Sequence, residues 1–567
     1  MVSADLAIVS SQSQTGYDQK AIARYYQRRP WQVFWRGLNI MAWFGIFVFH
    51  LQWDAWTNQK EQNKQKRATE LRELLTNLGP SFIKIGQALS TRPDLIHKDY
   101  LEELIKLQDQ LPPFDNQTAF KIIESELKGS VKQLYREISS DPVAAASLGQ
   151  VYRGVLFTGE EVAVKVQRPN LKPIISLDLH LLRLLVGWLQ PLLPVNIGDD
   201  LTLIVDEFGI KLFEEIDYQN EGKNAEKFAV NFADDPEIKV PKIYWKYSSY
   251  KVLTLEWIHG YKLTDTEKIL AAGLDINDLI KIGVTSGLRQ LLEHGFFHAD
   301  PHPGNLFATP DGRMAYIDFG MMDQLTEETK ETIASSVVQL INRDYQALAD
   351  DFVRLGFLTP DTDINPIIPA LETVLGNAIG ESVKDFNFKT ITDQFSELMY
   401  QYPFRVPAKF ALIIRSIITQ EGLALTLNPD FKIVEVSYPY VSKRLLTGES
   451  PQLRRRLLDI LFKDGKFQWQ RLENMIAIAQ SDRHFDLLPT ARLGLTYLLS
   501  EEGKYFRQRL LIALTEDDRL HTEEVQRLWG LVKDELKPAR LFDVALTALR
   551  EISSERVAAV IPNPLPR

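Results

Sequence analysis

The sequence predicts an α+β fold, with helical segments before and after the region that contains the strands. Residues 161–167 alternate apolar and polar side chains, which is the pattern of a half-buried strand. Residues 306–308 and 314–317 form two more apolar runs around the turn signal at 309–312, as in a hairpin. Beyond them, amphipathic segments with helical period begin at residue 327.

Two short motifs flank the predicted hairpin and indicate phosphate chemistry. His298, Asp300 and Asn305 spell H-x-D-x-x-x-x-N, and Asp318 opens D-F-G. In phosphoryl transfer the first Asp of such a set accepts or orients the proton of the attacking hydroxyl, while the Asn and the second Asp hold magnesium ions that bridge the phosphates. The hairpin would bring Asn305 and Asp318 side by side. We therefore predict an ATP and Mg²⁺ site with Asp300 as the catalytic residue and Asn305 and Asp318 as metal ligands.

A phosphate-facing lysine is expected upstream, and Lys165 on the strand 161–167 supplies it. Before this strand, Ala144, Ala145, Ala146 and Ser147 stand where a glycine-rich phosphate loop would be. Glycine allows backbone N–H groups to approach phosphates in conformations closed to other residues. We expect these four residues to form a stiffer nucleotide-binding loop.

The carboxylate partner of Lys165 is expected from a helix. Residues 201–232 form a long periodic stretch with several acids on adjoining turns. Glu221 is the predicted partner of Lys165 and a candidate catalytic residue. Glu215 and Asp217 are expected one to two turns earlier on the same helix, where they could reach a second basic group near the cleft.

A further strand is predicted at 252–258, running into a loop at 259–260. This arrangement matches the hinge between the lobes of a kinase, at which backbone groups can hydrogen-bond to an adenine. Glu256 and Ile258 are therefore candidate nucleotide-binding residues.

Lys84 and Gln87, within the run 80–94, form the signature K-x-G-Q. With this element, the chain resembles the UbiB family of atypical kinases, also called ADCK or aarF-domain kinases, which share the protein-kinase-like fold. The Ala-rich loop, the E-x-D at 215–217 and the Q-N-E at 219–221 are similar to that family's motifs, and the resemblance covers about residues 60–345. It implies that the K-x-G-Q extension lies over the nucleotide cleft, with Lys84 directed at the active site and at E-x-D. Lys84, like Lys165, is therefore a candidate catalytic residue, and the candidate nucleotide-binding residues include Gln87, Glu215 and Asp217.

The segment after Gly320 limits the classes of substrate that the protein is expected to use. A protein kinase carries there an activation segment that ends in A-P-E and forms a platform for a peptide, whereas here a helix start follows at Thr326. This absence argues against a protein substrate and for a small or lipid-embedded one, or for ATP hydrolysis coupled to conformational change.

Several readings of the function remain open from the sequence. The resemblance implies a membrane-associated ATP-dependent enzyme of isoprenoid quinone or prenyl-lipid metabolism, whose partners would be nucleotide, a lipid surface and prenyl-quinone precursors. The alternatives are a nucleotide-sensing pseudokinase that organises proteins of a lipid-biosynthetic complex, or a protein kinase. An aminoglycoside-type small-molecule kinase is weaker, because the K-x-G-Q extension has no place there.

Composition excludes other classes. The 567 residues contain no cysteine, which rules out disulfides, thiol catalysis and cysteine-ligated metals. A formal charge of −10 gives no reason to expect nucleic acid as a partner.

The N-terminal region points to a membrane. No Asp, Glu, Lys or Arg occurs at 37–53, and five of the ten tryptophans fall nearby: Trp31, Trp35, Trp43, Trp53 and Trp56. The run is short for a span, so surface attachment is favoured over a single N-terminal anchor or a core helix. We expect the protein at the cytoplasmic side of a membrane.

The predicted organisation is as follows: a membrane-associating segment at 1–60, the K-x-G-Q extension at 61–135, a kinase-like domain at 136–435 with lobes at 136–260 and 261–435, and a C-terminal helical region at 436–567. After D-F-G, amphipathic helices are predicted at 327–341, 344–355, 366–378, 391–401 and 408–421.

Overall fold

A computed structural model of the chain describes residues 16–90, 98–107, 112–189, 201–379, 402, 404, 406–447, 457, 460–463, 466–479 and 522–532. These residues have the predicted α+β character. The chain divides into two compact units. The first contains Met1–Leu279, His298–Asp323 and Ala408–Thr419, and the second contains Ile280–Phe297, Gln324–Pro407 and Gln420–Arg567.

The first unit begins with helices that precede any strand: α1 Gln19–Gln27, α2 Pro30–Trp56, α3 Lys60–Leu78, α4 Pro80–Leu89, α5 Lys98–Ile105, α6 Asn116–Leu127 and α7 Val131–Leu134. Pro30 and Pro80 each occupy the first helical turn, where the missing N–H of proline costs nothing. Asp18 and Asp115 cap α1 and α6 by accepting N–H bonds from the first turn.

Helices α2 to α5 share one apolar core, formed by Ile40, Phe47, Leu74, Leu75, Leu78, Phe82, Leu104 and Leu107. Two ion pairs fix the ends of α2. Arg36 Nε donates to Asp178 at 2.7 Å, and Arg67 Nε donates to Asp54 at 2.6 Å. Because Asp178 and Asp54 are both buried, these pairs hold α2 along the unit and leave its opposite side in solvent.

The first sheet is antiparallel, with the order β1-β3-β4-β6 and β2 paired to β3. Its strands are β1 Glu137–Ile138, β2 Ala144–Ala145, β3 Gly149–Val155, β4 Glu161–Gln167 and, further along the chain, β6 Val252–Glu256. The predicted strand at 161–167 is thus confirmed. In β4, Lys165 lies between Val151 of β3 and Leu253 of β6. Val162, Val164 and Val166 point to the other face and are fully buried.

Helix α8 Leu171–Leu189 follows this hairpin, and then come α9 Leu201–Glu215 and α10 Tyr218–Asn231. The prediction of one helix over 201–232 was wrong. Asp217 has an extended backbone and caps α10, accepting N–H bonds from Gln219 at 3.0 Å and Asn220 at 3.4 Å. An Asp that satisfies these donors starts a new helix rather than continuing an old one. Glu215 therefore ends α9 and Asp217 begins α10, so they do not share a helix.

The second sheet has the order β5-β10-β9-β7, with β5 Ile238–Lys239, β7 Tyr261–Lys262, β9 Leu306–Ala308 and β10 Met314–Tyr316. Strands β9 and β10 pair antiparallel, as the sequence predicts. Gly312, at φ +83°, closes the turn between them in a conformation that favours glycine. Two further short strands, β8 Phe296–His298 and β11 Met322–Gln324, stand before and after this hairpin in the chain.

The remaining helices are α11 Thr266–Ala271, α12 Ile276–Leu288, α13 Glu327–Ile341, α14 Tyr345–Arg354, α15 Ile367–Ile379, α16 Ala408–Leu427, α17 Ile433–Thr447, α18 Trp469–Ala479 and α19 Thr522–Val532. The helix predicted at 327–341 is confirmed, and α16 runs beyond the predicted end at residue 421. A short strand pair, β12 Phe462–Lys463 with β13 Lys466–Phe467, interrupts the helical C-terminal region. The helix predicted at 391–401 lies outside the described residues, as does most of 436–567.

Candidate active site

Strand β4 and helix α10 bring Lys165 and Glu221 together. Lys165 Nζ lies 2.7 Å from Glu221 Oε1 and 2.9 Å from Oε2, so the predicted pairing is present. Burial raises the pKa of Glu221, and the Lys165 charge offsets only part of that rise. Burial alone would lower the pKa of Lys165, but Asp318 and Glu221 hold it well above the usual value. Lys165 is therefore a fixed cation, as a phosphate-binding lysine must be.

The β9–β10 hairpin places Asn305 beside Asp318. Asn305 Nδ2 donates to Asp318 Oδ2 at 3.4 Å, and the Ile317 N–H donates to the Asn305 carbonyl at 3.2 Å. Burial raises the pKa of Asp318, but the positive charge of Lys165, with smaller contributions that include the Gly320 N–H, lowers it to about 2. Asp318 is thus a carboxylate at neutral pH.

The donor set at this hairpin fits magnesium. Asp318 offers a carboxylate and Asn305 an amide oxygen, both of which are hard oxygen ligands. No cluster of three or more His, Cys, Asp and Glu side chains able to hold a metal occurs in the part of the chain that the structure describes. Mg²⁺ commonly takes one or two protein ligands and completes its shell with phosphate and water. The pair is suited to an ion that arrives with a nucleotide.

The D-F-G phenylalanine is fixed by the helix that carries Glu221. Phe319 is buried and packs on Phe228 of α10 with ring centroids 5.3 Å apart. Asn224, also on α10, donates its side-chain amide to the Phe319 carbonyl at 3.1 Å. One helix therefore sets the positions of both Glu221 and the D-F-G segment.

His298 connects the two motifs. Its Nδ1 accepts the Asp300 N–H at 3.1 Å, and its Nε2 donates to the Asp318 carbonyl at 3.0 Å. Burial lowers the pKa of His298, in keeping with a neutral imidazole that donates from one nitrogen and accepts at the other. The Asp300 carboxylate is bound by Arg415 of α16, whose Nη2 lies 2.5 Å from Oδ2.

The K-x-G-Q helix α4 reaches this cluster through Lys84. Its Nζ lies 2.5 Å from Glu215 Oε1, and both side chains are largely buried. A β-carbon on Gly320 would lie 3.2 Å from Asp318 Oδ1, 3.6 Å from Glu215 Cγ and 4.0 Å from Glu221 Oε2. Three carboxylates therefore meet around Gly320, each close to a lysine.

The Ala-rich segment is not entirely a loop. Ala144 and Ala145 form β2 and pair with Val151 and Gln150 of β3, and the Ala146 N–H donates to the Gly149 carbonyl at 2.8 Å. The chain therefore turns tightly at 146–149, where Ser147 is buried. Arg168 Nε donates to the Ala146 carbonyl at 3.0 Å, which ties the turn to the end of β4.

The other predicted site residues make contacts of their own. Asp217 is occupied as the cap of α10. Gln87 Nε2 donates to the Leu107 carbonyl at 3.1 Å, within the extension. Glu256, the last residue of β6, has its carboxylate 2.7 Å from Lys239 Nζ, and Ile258 is half-buried in the segment that follows.

Sequence reasoning missed three residues. Tyr218 places its ring 5.2 Å from Lys165 Nζ, and Asn224 and Arg415 bind Phe319 and Asp300. Arg415 alone carried a signal, since it is the sole charged residue between Lys409 and Glu421 in an apolar helix. A charged residue in such a helix needs a partner of opposite charge, but the position of Arg415 in the sequence did not indicate which residue that partner is.

Comparisons with known proteins identify the family of the chain. Residues 106–352 match the ABC1 atypical kinase-like domain, and residues 371–432 match the UbiB helical domain. Uncharacterized protein slr1919 of Synechocystis is 72% identical over 96% of this chain and 97% of its own length. Protein ACTIVITY OF BC1 COMPLEX KINASE 1, chloroplastic, of Arabidopsis thaliana is 48% identical over 88% of this chain and 76% of its own.

An uncharacterized aarF domain-containing protein kinase of the same plant is 36% identical over 97% of this chain and 84% of its own length. Such similarity over nearly whole chains, added to the K-x-G-Q, E-x-D and D-F-G motifs, confirms the resemblance stated from the sequence. The chain belongs to the ABC1/UbiB family of atypical kinase-like proteins.

Proposed function

We propose that this protein is a membrane-associated atypical kinase or ATPase that uses Mg-ATP in support of isoprenoid quinone or prenyl-lipid metabolism. The observation that carries the proposal is the cluster of Lys165, Glu221, Asp318 and Asn305. Lys165 lies 2.7 Å from Glu221 and 3.7 Å from Asp318, and Asp318 lies beside Asn305. The same lysine, glutamate, aspartate and asparagine constitute the phosphate and metal site of protein kinases.

Each residue has a role in this proposal. Lys165 binds the phosphates and is oriented by Glu221, while Asp318 and Asn305 would hold Mg²⁺, which would supply positive charge to neutralise the phosphates. Asp300 orients the attacking hydroxyl or water. The turn at 144–147 covers the phosphates of the nucleotide. The backbone at 256–258 contacts its adenine. Lys84 controls the charge beside Asp318 through Glu215.

Helix α2 supports attachment to a lipid surface. Eleven of its large apolar side chains are exposed and together make up what we call the exposed face of α2: Trp31, Phe34, Trp35, Leu38, Met41, Trp43, Ile46, Val48, Phe49, Trp53 and Trp56. Monomeric soluble proteins rarely expose so large a patch, and tryptophan is favoured at the membrane–water interface. The face therefore suits lipid headgroups and the outer ends of acyl chains.

The described part of the chain has two helices long and apolar enough to cross a bilayer, Pro30–Trp56 and Lys409–Leu427. The ion pairs of Arg36 with Asp178 and of Asp54 with Arg67 argue that the first lies in the membrane plane, because insertion would break both. Arg415 argues against insertion of the second, since its charge is paired with Asp300. Peripheral attachment at the cytoplasmic side is our proposal.

The substrate class follows from the family resemblance together with the membrane face. Met322–Gln324 is a strand and α13 begins at Glu327, so the described chain after D-F-G has no segment for a peptide platform. An acceptor drawn from the membrane, a prenyl-quinone precursor or related lipid, is consistent with both features. Protein partners in a lipid-biosynthetic complex belong to the same proposal.

The test is ATP turnover by the full chain with Mg²⁺, measured with and without liposomes and with added prenyl-quinone precursors. We expect turnover that requires Mg²⁺ and rises on liposomes, and rises further with an acceptor. Mg-ATP binding without turnover under every condition would instead support a nucleotide-sensing scaffold. Lack of Mg-ATP binding would contradict the proposal as a whole.

A further inference from the structure

The charges of the candidate site are almost balanced. Three carboxylates each have a cation as partner: Glu215 with Lys84 at 2.5 Å, Glu221 with Lys165 at 2.7 Å, and Asp300 with Arg415 at 2.5 Å. The fourth carboxylate, Asp318, is 3.7 Å from Lys165, which Glu221 already engages more closely. Among these site residues, the uncancelled negative charge is therefore at Asp318, where a divalent cation is expected.

We propose that Arg415 is a positioning residue of the nucleotide site, whose charge cancels that of Asp300 so that a triphosphate can approach Asp300 without repulsion. This inference rests on the proposed function. It also assigns different tasks to the two aspartates. Asp300 is paired with the Arg415 guanidinium and orients the group that attacks the phosphate. Asp318 remains available to bind the metal.

The geometry of the pair supports a dedicated role. The side chains of Arg415 and Asp300 are only 14% and 15% exposed, so solvent screens their charges weakly. Asp300 is fixed at its backbone by the bond of its N–H to His298. Arg415 occupies an apolar stretch of α16, where a charge is costly unless it is paired.

The origin of Arg415 in the chain makes the inference specific. The ABC1 kinase-like match ends at residue 352, and Arg415 lies within the UbiB helical match, residues 371–432. It belongs to the same compact unit as Asp300, through Ala408–Thr419. The helical domain therefore contributes a side chain to the phosphate site rather than only supporting it.

The test is Mg-ATP affinity by calorimetry on the full chain, for Arg415→Met, Asp300→Asn and the double variant. With Arg415→Met, the unpaired carboxylate of Asp300 repels the triphosphate, and we expect affinity to fall about tenfold. Asp300→Asn keeps the cation and removes the carboxylate, so we expect it to bind Mg-ATP several-fold more tightly than the wild type. The double variant removes both charges and should return to within about twofold of the wild type, because its net charge is unchanged.

Arg183→Met is the matched control, because Arg183 pairs with Asp206 at 2.9 Å in the same unit and away from the motifs. It should leave Mg-ATP affinity unchanged. If Arg415→Met does not fold, the double variant compared with Asp300→Asn gives the same answer, since loss of the cation should then weaken binding several-fold. The inference would be overturned if the double variant and Asp300→Asn bound Mg-ATP with equal affinity, or if Arg415→Met bound it as the wild type does. Either result would leave the proposed function intact. A wild-type protein that binds no Mg-ATP would overturn the proposed function and this inference with it.

Discussion

Lys84 Nζ lies 2.5 Å from Glu215 Oε1, which joins the K-x-G-Q helix to the last residue of α9. Glu215 in turn lies beside Gly320 of D-F-G, next to Asp318. Burial raises the pKa of Asp318, and the charge of Lys84 is one of those that lower it, after that of Lys165. The extension therefore affects the electrostatic field around Asp318, the proposed metal ligand.

Replacement of Lys84 by Met should make ATP binding depend more steeply on Mg²⁺. Without the lysine, Glu215 loses this ion pair and the negative charge near Asp318 increases, which repels free ATP and attracts the divalent cation. Calorimetric titrations of ATP at low and high Mg²⁺ measure this dependence. Lys64→Met is the control, because Lys64 pairs with Asp99 elsewhere in the extension at 2.7 Å. Equal dependence in Lys84→Met and wild type would count against a role for Lys84 in the site.

Gly86 of the K-x-G-Q motif permits close packing of α4. A β-carbon there would lie 2.2 Å from Leu107 Cδ1 and 2.9 Å from Leu75 Cδ1. Gly86→Ala should destabilise the protein by ~1–3 kcal/mol through overpacking, and it should weaken Mg-ATP binding by moving Lys84. Denaturant unfolding gives the first quantity. Gly45→Ala is the control: nothing lies within 4 Å of its added carbon, so stability should be unchanged or slightly higher.

The exposed face of α2 should govern membrane binding. The triple change of Trp31, Trp35 and Trp53 to Ser should abolish co-flotation with anionic liposomes and leave the unfolding midpoint nearly unchanged. These side chains are 73%, 64% and 48% exposed. Deletion of residues 1–60 is a poorer test of membrane binding, because it would also remove Asp54, the ion-pair partner of the buried Arg67.

The control for this experiment replaces three exposed apolar side chains on other elements, Phe157, Val230 and Leu270, by Ser. This control should still float with liposomes. Undiminished flotation of the tryptophan variant would refute the membrane role of α2.

His180 should make stability depend on pH. Burial, and then the charge of Arg183, lower the pKa of His180, whose ring stacks on Tyr26 with centroids 5.6 Å apart. Because the unfolded chain binds the proton more tightly, stability from this group is complete above about pH 6.5 and declines as pH falls below it. His180→Phe keeps a ring and should lose less unfolding free energy between pH 7.5 and 5.5, by up to ~1 kcal/mol. If the unfolding free energies of the wild type and His180→Phe changed in parallel with pH, this prediction would be contradicted.

Local patterns were sufficient for much of the fold. The alternation at Glu161–Gln167 predicted β4, and the apolar runs around Gly312 predicted the β9–β10 hairpin. These elements depend on side-chain period and turn chemistry, which are properties of adjacent residues. They also place the motif residues, because Lys165 lies within β4 and Asn305 and Asp318 lie just outside the two strands of the hairpin.

Other features depend on contacts that sequence order does not specify. The break at Asp217 escaped prediction because the helical period of 201–232 outweighed a single capping residue, although Asp is a preferred cap. Arg415 is 115 residues from Asp300, and nothing local to α16 indicated its partner. The orientation of α2 likewise depends on Asp178 and Arg67, which anchor it from other helices.

The most direct test of a magnesium–nucleotide site is calorimetry of Mg-ATP binding to Asp318→Asn. This change removes a carboxylate from the donor pair and leaves the side-chain volume almost unaltered, so Mg-dependent affinity should be lost while weak Mg-independent binding to Lys165 persists. Asp323→Asn, the same chemical change on a residue that pairs with Lys211 at 3.4 Å, should bind Mg-ATP as the wild type does. Unchanged Mg-ATP affinity in Asp318→Asn would contradict the assignment.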